Sequence, residues 1–360
     1  HCGTCGKACA NDESCSAGVC TKCPQGQSVC LNQCVDLTSD PQHCGVCGRR
    51  CLTTVGSVSK NVALIDSPWL LHWMKGGVDR GGNVYVANRF YEEVTIGGVT
   101  FSAPKGKSHI FIAKYAPTGK WSWAKQIAGD YITVDHLKVD RNGHVLLQGR
   151  IQGDVTFGQR RIRTHGGTPS NPVKWPFVAK LDGTGKWLWV QVIETTGSTS
   201  LGRFSVDILG NVYVAGTFTN TTVKIGSKTL SSTATAMYIA KLDAAGQLLW
   251  VKELKGGAKD YLFGVFADRA GALFVVGYFS QQLVLGRFSF SFSGGGPYAR
   301  GMFVAKLSRS GTWLWANYAA PSSSSPSNGA GCSDMVVDAT GSVFLMGSFD
   351  GETFFGQTGI

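Results

Sequence analysis

Hydrophobic and polar positions alternate along this chain in short segments that are separated by polar turns. The clearest example runs from Ser205 to Trp250. Its apolar segments, Val212–Val214 and Tyr238–Ala240, are rich in the β-branched and aromatic residues that are typical of strands. Asp-x-x-Gly sequences beside them favour tight turns, because Asp bonds its own backbone and Gly takes a positive φ. The segment therefore predicts two hairpins, with four antiparallel strands that we call a, b, c and d.

The same pattern recurs along the rest of the chain. The turn between strands a and b begins at an aspartate in five places: Asp79, Asp140, Asp207, Asp268 and Asp338. Strands c and d recur in four segments of the type FVAKLDGTGKWLW, which begin at Phe111, Phe177, Tyr238 and Phe303. Four-stranded antiparallel repeats at a regular period are typical of β-propeller blades. The sequence thus predicts an all-β fold with a five-bladed β-propeller over residues 52–360.

These repeated motifs resemble those of the bacterial seven-bladed β-propeller repeat family, and the resemblance covers nearly all of residues 70–360. It implies a propeller architecture and no particular ligand, because a shared fold does not carry a shared function. The turn aspartates give five blades, and a chain clipped at its C-terminus would restore the seven of the family's name.

The two ends of the repeat array are incomplete and complement each other. The last repeat supplies strands a and b only, whereas Val62–Asp66 has the spacing of a d strand that lacks its own a and b. Cys51–Val55 is a candidate c strand. Placing the front strands beside the rear ones would complete a fifth blade and close the ring, which removes exposed strand edges. The alternative is that the missing strands come from the next subunit of a head-to-tail filament.

The first 51 residues differ from the rest in their cysteine content. Of the 12 cysteines only Cys332 lies beyond them, and the others are Cys2, Cys5, Cys9, Cys15, Cys20, Cys23, Cys30, Cys34, Cys44, Cys47 and Cys51. The sequence His1–Cys9 recurs as His43–Cys51, which indicates a tandem array. With few large apolar side chains, the segment needs covalent cross-links. It resembles the cysteine-rich repeats of the stigma-specific-protein type in secreted bacterial proteins, which implies an extracellular or cell-surface location.

Two interpretations of the cysteines stay open. Disulfides suit the isolated cysteines, whereas the C-x-x-C pairs that begin at Cys2, Cys20 and Cys44 have the spacing of zinc ligands. We predict disulfides and no metal. The odd number of cysteines in the segment leaves one over, and we expect it to bond Cys332. The predicted domains are residues 1–51, disulfide-rich, and residues 52–360. Since the chain starts inside the cysteine pattern without a signal peptide, we expect it to be processed.

Composition and charge narrow the function further. The chain has 48 glycines and 16% charged residues, which suits short strands and turns, and no apolar segment is long enough for a membrane span.

The formal net charge is +11, and charges in the first 51 residues cancel, so the excess lies in the propeller. Basic residues gather in the loops between strands b and c, at Lys105, Lys107, Arg160, Arg161, Arg163, Lys224, Lys228, Arg287 and Arg300. These loops would share one face, which predicts binding of anionic polysaccharide; the alternative is a generally basic surface. We expect no nucleic-acid partner.

Aromatic and basic residues recur at fixed places in the repeat. Strand d carries tryptophan pairs, at Trp121 and Trp123, Trp187 and Trp189, and Trp313 and Trp315. Residues i and i+2 of a strand face one side, so each pair predicts a stripe packed between blades rather than a sugar-stacking site. Trp175 lies outside this pattern, in a predicted loop, and is a candidate for an exposed ligand contact. The lysines of strand c (Lys114, Lys180, Lys241 and Lys306) predict structural partners for turn aspartates, since a catalyst is needed only once.

Candidate catalytic groups are sparse. The sequence contains no H-E-x-x-H, G-x-S-x-G, P-loop or dinucleotide motif, and we expect no cofactor. Asp135, Asp260 and Asp334 lie near the starts of predicted a strands, where the paired carboxylates of a propeller glycosidase would lie, but no spacing places two of them together. We therefore predict a non-catalytic extracellular or cell-surface structural protein that polymerises through its cysteine-rich segment or chain ends. A lectin-like propeller for anionic polysaccharide is the first alternative, and a glycosidase is the second.

Overall fold

The computed structural model describes residues 13–16, 19–25, 27–30, 33–35, 65–66, 74–168, 171–255, 257, 260–268, 271–292, 299–321, 329–338, 341–350 and 353–358. The chain divides into two compact units, His1–Ala63 and Leu64–Ile360, where the cysteine pattern placed the boundary at Cys51. All regular secondary structure among the described residues is β-strand, so the all-β prediction is confirmed. No helix in these ranges is long and apolar enough to cross a bilayer.

The N-terminal unit contains two short hairpins. β1 (Glu13–Ser16) pairs with β2 (Val19–Lys22), and β3 (Ser28–Cys30) pairs with β4 (Gln33–Val35). A disulfide joins Cys23 and Cys34, whose Cα atoms lie 5.4 Å apart. It confirms the disulfide prediction for these two cysteines and removes Cys23 from the zinc alternative. The predictions for Cys2, Cys5, Cys9, Cys44, Cys47 and Cys51 lie outside the described residues.

The larger unit begins with β5 (Ile65–Asp66) and continues in four-stranded repeats. Repeat 1 contains β6 (Lys75–Val78), β7 (Val84–Phe90), β8 (Glu93–Ile96), β9 (Val99–Ser102), β10 (His109–Tyr115) and the first half of β11 (Trp121–Val139). The second half of β11 opens repeat 2, which continues with β12 (Val145–Phe157), β13 (Arg160–Arg163), β14 (Gly167–Thr168), β15 (Asn171–Pro172), β16 (Trp175–Leu181) and β17 (Trp187–Thr195).

Repeats 3 and 4 follow the same plan, and the last repeat is shorter. Repeat 3 contains β18 (Thr199–Leu201), β19 (Ser205–Val206), β20 (Val212–Ile225), β21 (Lys228–Leu242) and β22 (Leu248–Lys255). Repeat 4 contains β23 (Tyr261–Ala267), β24 (Leu273–Phe279), β25 (Gln282–Leu285), β26 (Phe288–Ser291), β27 (Gly301–Leu307) and β28 (Trp313–Pro321). Repeat 5 contains β29 (Gly329–Val337), β30 (Val343–Asp350) and β31 (Thr353–Thr358).

The predicted turns account for the hairpins. In repeat 3, Asp207 Oδ1 accepts hydrogen bonds from the backbone N–H groups of Leu209 and Asn211, at 2.9 and 3.0 Å. Gly210 has a φ of 81°, which a residue with a side chain rarely adopts. These contacts are local, so the residues of the turn determine the hairpin by themselves.

Strand d of one repeat pairs with the far end of strand b in the next repeat. Ile193 of β17 lies opposite Ile225 of β20, and this pairing joins repeats 2 and 3. β5 pairs with β8 in the same way, with Ile65 opposite Ile96. β5 therefore lies where a d strand should lie, as the sequence predicted for the end of Val62–Asp66.

Repeat 5 has strands a and b, and no c or d strand follows them among the described residues. β30 pairs with β29, while β31 pairs with strand d of repeat 4 through Phe355 and Ala319. Within the described residues β30 has no second partner strand. The c strand predicted at Cys51–Val55 lies outside these ranges. The described strands thus give four complete repeats and half of a fifth.

The hydrophobic core lies between the faces of neighbouring repeats. One cluster joins Ile112 of repeat 1 to Leu147 of repeat 2, and another joins Leu146 of repeat 2 to Val214 of repeat 3. These side chains are 0–1% exposed. Since b and c strands bury both faces, they are continuous apolar runs rather than alternating ones.

The tryptophan pairs pack in this core, but not as single stripes. Trp121 pairs with Tyr115 and Trp123 pairs with Lys114, so Ser122 is an extra residue that forms a bulge. Trp121 packs against the cluster on one face of repeat 1, and Trp123 against the cluster on the other. The core role was predicted correctly, and the prediction that both rings share a face was wrong. The same shift follows Lys180, Lys241 and Lys306 in the other repeats.

Candidate functional site

One position of strand a carries different polar residues in successive repeats. It lies four residues before the turn aspartate and is occupied by Lys75, His136, Arg203, Gly264 and Asp334 in repeats 1 to 5. Contacts join the a strands of repeats 1 and 2, of repeats 3 and 4, and of repeats 4 and 5, and Lys138 of repeat 2 lies near Phe204 of repeat 3, so these positions form one series. Structural positions in the repeat keep one residue type, as the turn aspartates do. This variation marks the a strands as the candidate functional site.

Gly264 allows the a strands of repeats 3 and 4 to approach closely. Arg203 and Gly264 form a parallel β-bridge, in which Arg203 N donates to Phe263 O and Val265 N donates to Arg203 O, both at 2.9 Å. A Cβ on residue 264 would lie 2.8 Å from Arg203 Cβ. The backbone contact therefore requires glycine at this position.

Arg203 also reaches the a strand of repeat 5. Its Nη1 lies 2.6 Å from Asp334 Oδ1, and its Nη2 donates to Ser333 O at 3.3 Å. The guanidinium group lies 4.9 Å from the centre of the Phe263 ring. The Asp334 carboxylate is thus neutralised by an arginine from two repeats away.

His136 and Lys138 lie two residues apart on β11, on the same side of strand a. Burial, followed by the charge of Arg203, lowers the pKa of His136 to about 4. Lys75 and Lys138 lower this pKa further, and Asp135 opposes them. Burial and Arg203 also lower the pKa of the Lys138 ammonium group, against the effect of Asp334. The local potential at this end of the a strands is therefore positive.

The other predicted carboxylates are held by partners as well. Asp135 Oδ2 lies 3.5 Å from Arg150 Nη1. Asp260 is 3% exposed and accepts hydrogen bonds from the backbone N–H and the hydroxyl of Ser280, both at 2.8 Å. Burial raises the pKa of Asp260. Asp135 and Asp334 are paired with arginines, whereas Asp260 is buried, so the three carboxylates have different environments.

The predicted basic loops are largely occupied by contacts within the protein. Arg161 and Arg163 both bond the Asp154 carboxylate, at 2.9 and 3.0 Å. Hydrogen bonds from Arg163 and Arg161 hold the pKa of Asp154 well below its usual range. Lys107 lies 2.7 Å from Asp130 Oδ1. Much of the positive charge that the sequence assigned to this face is therefore already paired.

The remaining basic residues of the set have varied surroundings. Arg160 Nη1 donates to Val190 O at 2.6 Å, and Arg287 Nη2 donates to Leu314 O at 3.4 Å. The Arg300 guanidinium lies 5.3 Å from the Tyr278 ring centre, and Lys105 is exposed. Lys224 pairs with Glu194 at 3.3 Å, and Lys228 is exposed. Binding of polysaccharide by these loops stays a prediction.

Two residues differ from their predicted surroundings. Trp175 is 4% exposed and lies in β16, where its Nε1 donates to Thr195 O at 2.8 Å. The prediction that it lies in an exposed loop was wrong, because the strand begins at this residue. Cys332 is a free thiol, 7% exposed, whose Sγ donates to Asp334 O at 3.3 Å. The predicted disulfide of Cys332 is therefore also wrong, since this thiol packs between repeats 4 and 5.

Two of the four c-strand lysines, Lys180 and Lys306, have the predicted turn-aspartate partner. Lys180 Nζ lies 3.0 Å from Asp140 Oδ2, and Lys306 Nζ lies 3.5 Å from Asp268 Oδ2. Both lysines thus meet the turn aspartate of their own repeat. The Lys180–Asp140 pair is almost fully buried.

Repeats 1 and 3 use a tyrosine at the corresponding place. Tyr85 OH donates to Asp79 Oδ2 at 3.0 Å, and Lys114 Nζ instead donates to Gly183 O of repeat 2 at 3.2 Å. Repeat 3 has the same arrangement with Tyr213, Asp207, Lys241 and Arg309. The c-strand lysine therefore bonds either the turn aspartate of its own repeat or a backbone carbonyl of the next repeat.

Sequence reasoning missed the varied position of the a strand. The predictions rested on positions that are the same in every repeat, and this position differs between repeats. Alignment of the five turns, followed by a search for positions that differ, would have found Lys75, His136, Arg203 and Asp334 together. The contact between Arg203 and Asp334 could not have been found in this way.

The comparisons with known proteins agree with a repeat fold. No family model matches the chain. The chain is similar to an uncharacterized WD repeat-containing protein of Acanthamoeba polyphaga mimivirus, at 25% identity over 229 residues. The match covers 54% of this chain and 16% of that protein, so the chain spans a small part of the relative. WD repeats are four-stranded propeller blades. The chain is a β-rich, WD-like repeat protein.

Proposed function

We propose that the larger unit is a five-bladed β-propeller and that the protein is a non-catalytic structural component that assembles outside the cytoplasm. Assembly would use the strands that complete the fifth blade. The disulfide between Cys23 and Cys34 supports an oxidising location. The four-stranded repeats and the WD-repeat relative support the propeller.

The observation that carries the proposal is the exposure of strand b in repeat 5. Phe344 is 61% exposed and Met346 is 64% exposed. The residues at the position of Phe344 in repeats 1 to 4 are Tyr85, Leu146, Tyr213 and Phe274, and each of them has an exposure of 0%. In each of those repeats strand c pairs beside these residues and the next repeat packs on them, as Lys306 and Met335 do for Phe274. Exposed apolar residues on an open strand edge favour the addition of a strand.

The strand that best suits this edge comes from the front of another copy. β5 pairs with β8 along one edge and has the place of a d strand in relation to repeat 1. In the complete repeats a d strand also pairs with a c strand, as Ala305 of β27 and Ala316 of β28 do. The front of one copy could therefore complete repeat 5 of the next, which gives a head-to-tail assembly.

Light scattering coupled to size-exclusion chromatography tests this proposal on the full chain. We expect a series of oligomers that grows with protein concentration, and the double variant Phe344→Ser, Met346→Ser should shift it toward monomer. Leu314→Ser is the control, because Leu314 is also exposed, at 43%, but lies on strand d of repeat 4. A wild-type monomer at every concentration would mean that the front strands close the ring within one chain, and would overturn the assembly.

A further inference from the structure

We propose that the a strands of repeats 1 to 3 form a binding site for a small oxyanion group, such as a carboxylate or a sulfate, centred on Lys138. His136, Arg203 and Lys75 flank this site. The inference is independent of the proposed assembly, because it uses strand a of the first three repeats and not the open edge of β30.

The charge balance of the a strands is the first argument. Two carboxylates lie in this region, and each is engaged by an arginine: Asp135 by Arg150 at 3.5 Å, and Asp334 by Arg203 at 2.6 Å. Their charges are thus already offset. Lys138 adds a further positive charge to this region.

The surroundings of Lys138 are the second argument. Its Nζ lies 5.9 Å from the centre of the Phe204 ring, and among the described residues it makes no hydrogen bond or ion pair. A half-buried ammonium group with no hydrogen-bonded counter-charge is unfavourable, because burial removes hydration that nothing fully replaces. An anion at this place would supply both the charge and the hydrogen-bond acceptors that Lys138 lacks.

The geometry of β11 is the third argument. A register shift between Val134 and His136 leaves Asp135 as an extra residue in strand a. Beyond it the strand is regular, with His136 opposite Gln148 and Lys138 opposite Leu146. Residues two apart in a regular strand face the same side, so the imidazole and the ammonium group are directed together. The two nitrogen donors of His136 and Lys138 are thus adjacent on one side of the strand.

Position-specific side chains distinguish this site from the surrounding repeats. The residues equivalent to Lys138 are Gly77, Ser205, Phe266 and Val336, none of which carries a charge. The lysine is therefore no part of the repeat pattern. A half-buried lysine that makes no hydrogen bond to a turn or to a neighbouring repeat fits a role in binding.

The test follows the titration of His136 in the full wild-type chain by NMR. His136 faces Arg203, Lys75, Lys138 and Asp135, and its pKa in the free protein is about 4. Sodium sulfate, sodium phosphate, glucuronate and neutral glucose are added separately at constant ionic strength. We expect the anions to raise this pKa, since a negative charge nearby favours the imidazolium form, and glucose to leave it unchanged. The anion that raises the pKa of His136 at the lowest concentration is the preferred ligand.

Two variants locate the effect. Lys138→Met should weaken anion binding at least about tenfold, because a charge-assisted hydrogen bond is lost. Lys120→Met is the matched control, since Lys120 is an exposed lysine in the turn between strands c and d of repeat 1 and belongs to none of the candidate sites. Equal weakening by both variants, or a His136 pKa that none of the anions changes, would overturn the proposal. The wild-type titration decides the matter even if Lys138→Met does not fold.

Discussion

Arg203 and Asp334 join the a strands of repeats 3 and 5 across the repeat that separates them. Their side chains lie 2.6 Å apart although the residues are 131 positions apart in the chain. The contact depends on the glycine of repeat 4, because the backbone of Arg203 pairs directly with Gly264. The a strands therefore form a region in which backbone approach and charge pairing are linked.

Gly264→Ala should destabilise the protein. The new Cβ would lie 2.8 Å from Arg203 Cβ and 3.2 Å from two backbone atoms of Arg203, so the strands must separate. We expect the free energy of unfolding in urea to fall by about 1–3 kcal/mol. Gly76→Ala is the control, in strand a of repeat 1, where the nearest atom is Tyr85 O at 3.6 Å. Equal losses for both variants would contradict the close approach.

Gly97 and Gly98 provide a matched pair in the turn between β8 and β9. Their φ angles are 57° and 82°, so alanine costs about 1 kcal/mol at either position. Only at Gly97 would the Cβ also lie 2.7 Å from Trp121, since nothing lies within 4 Å of it at Gly98. We expect Gly97→Ala to reduce the unfolding free energy by about 1–3 kcal/mol more than Gly98→Ala. Identical urea midpoints would show that Trp121 does not pack on this turn.

Asp140→Asn should reveal a pH-dependent contribution to stability. Burial alone would raise the pKa of Asp140, but hydrogen bonds from His144 and Lys180 outweigh it and lower the pKa. A carboxylate with a lowered pKa stabilises the fold above its unfolded pKa of about 3.9, and this stability is lost as the pH falls toward the folded pKa. Asp140→Asn leaves Lys180 buried without its counter-charge, so we expect a loss of about 3 kcal/mol at pH 7.

The difference between wild type and Asp140→Asn should shrink below about pH 4, where the wild-type carboxylate also becomes protonated. Urea unfolding at pH 7 and at pH 3 measures both values. Asp182→Asn is the control, because Asp182 makes the same kind of turn at an exposed place. A difference that is independent of pH would contradict the ion pair.

Cys332 should react slowly with thiol reagents in the native protein. It is 7% exposed, and burial raises the pKa of its thiol, so little thiolate forms at neutral pH. Ellman's reagent without a reductant should therefore modify it only after unfolding in urea. A peptide map should then show labelled Cys332. If the unfolded, unreduced chain leaves Cys332 unlabelled, the residue is in a disulfide after all.

The turns and the strands were predictable because their causes are local. Asp207 and Gly210 determine their hairpin through contacts within a few residues. The type of partner of Lys180 was predictable, because a lysine that recurs in every repeat indicates a partner that also recurs, here the turn aspartate. Trp121 and Trp123 were only half predictable, since the bulge between them depends on the register with β10.

The contacts and burial of the candidate-site residues were not predictable from the sequence. His136 and Lys138 have no motif, and their importance comes from burial and from charges that other repeats supply. Trp175 was misplaced because the pairing of β16 with β12 extends the strand further than its composition indicates. Cys332 was misassigned because counting cysteines gives no information about packing.

By itself the sequence determined the repeated four-stranded unit and its turns, because turn chemistry and strand alternation act between residues close in the chain. Only the tertiary structure decided that Arg203 meets Asp334, that Lys138 is half-buried and that strand b of repeat 5 is exposed. These features depend on the strand register and on how closely separate repeats pack, and both involve residues that are far apart in the chain.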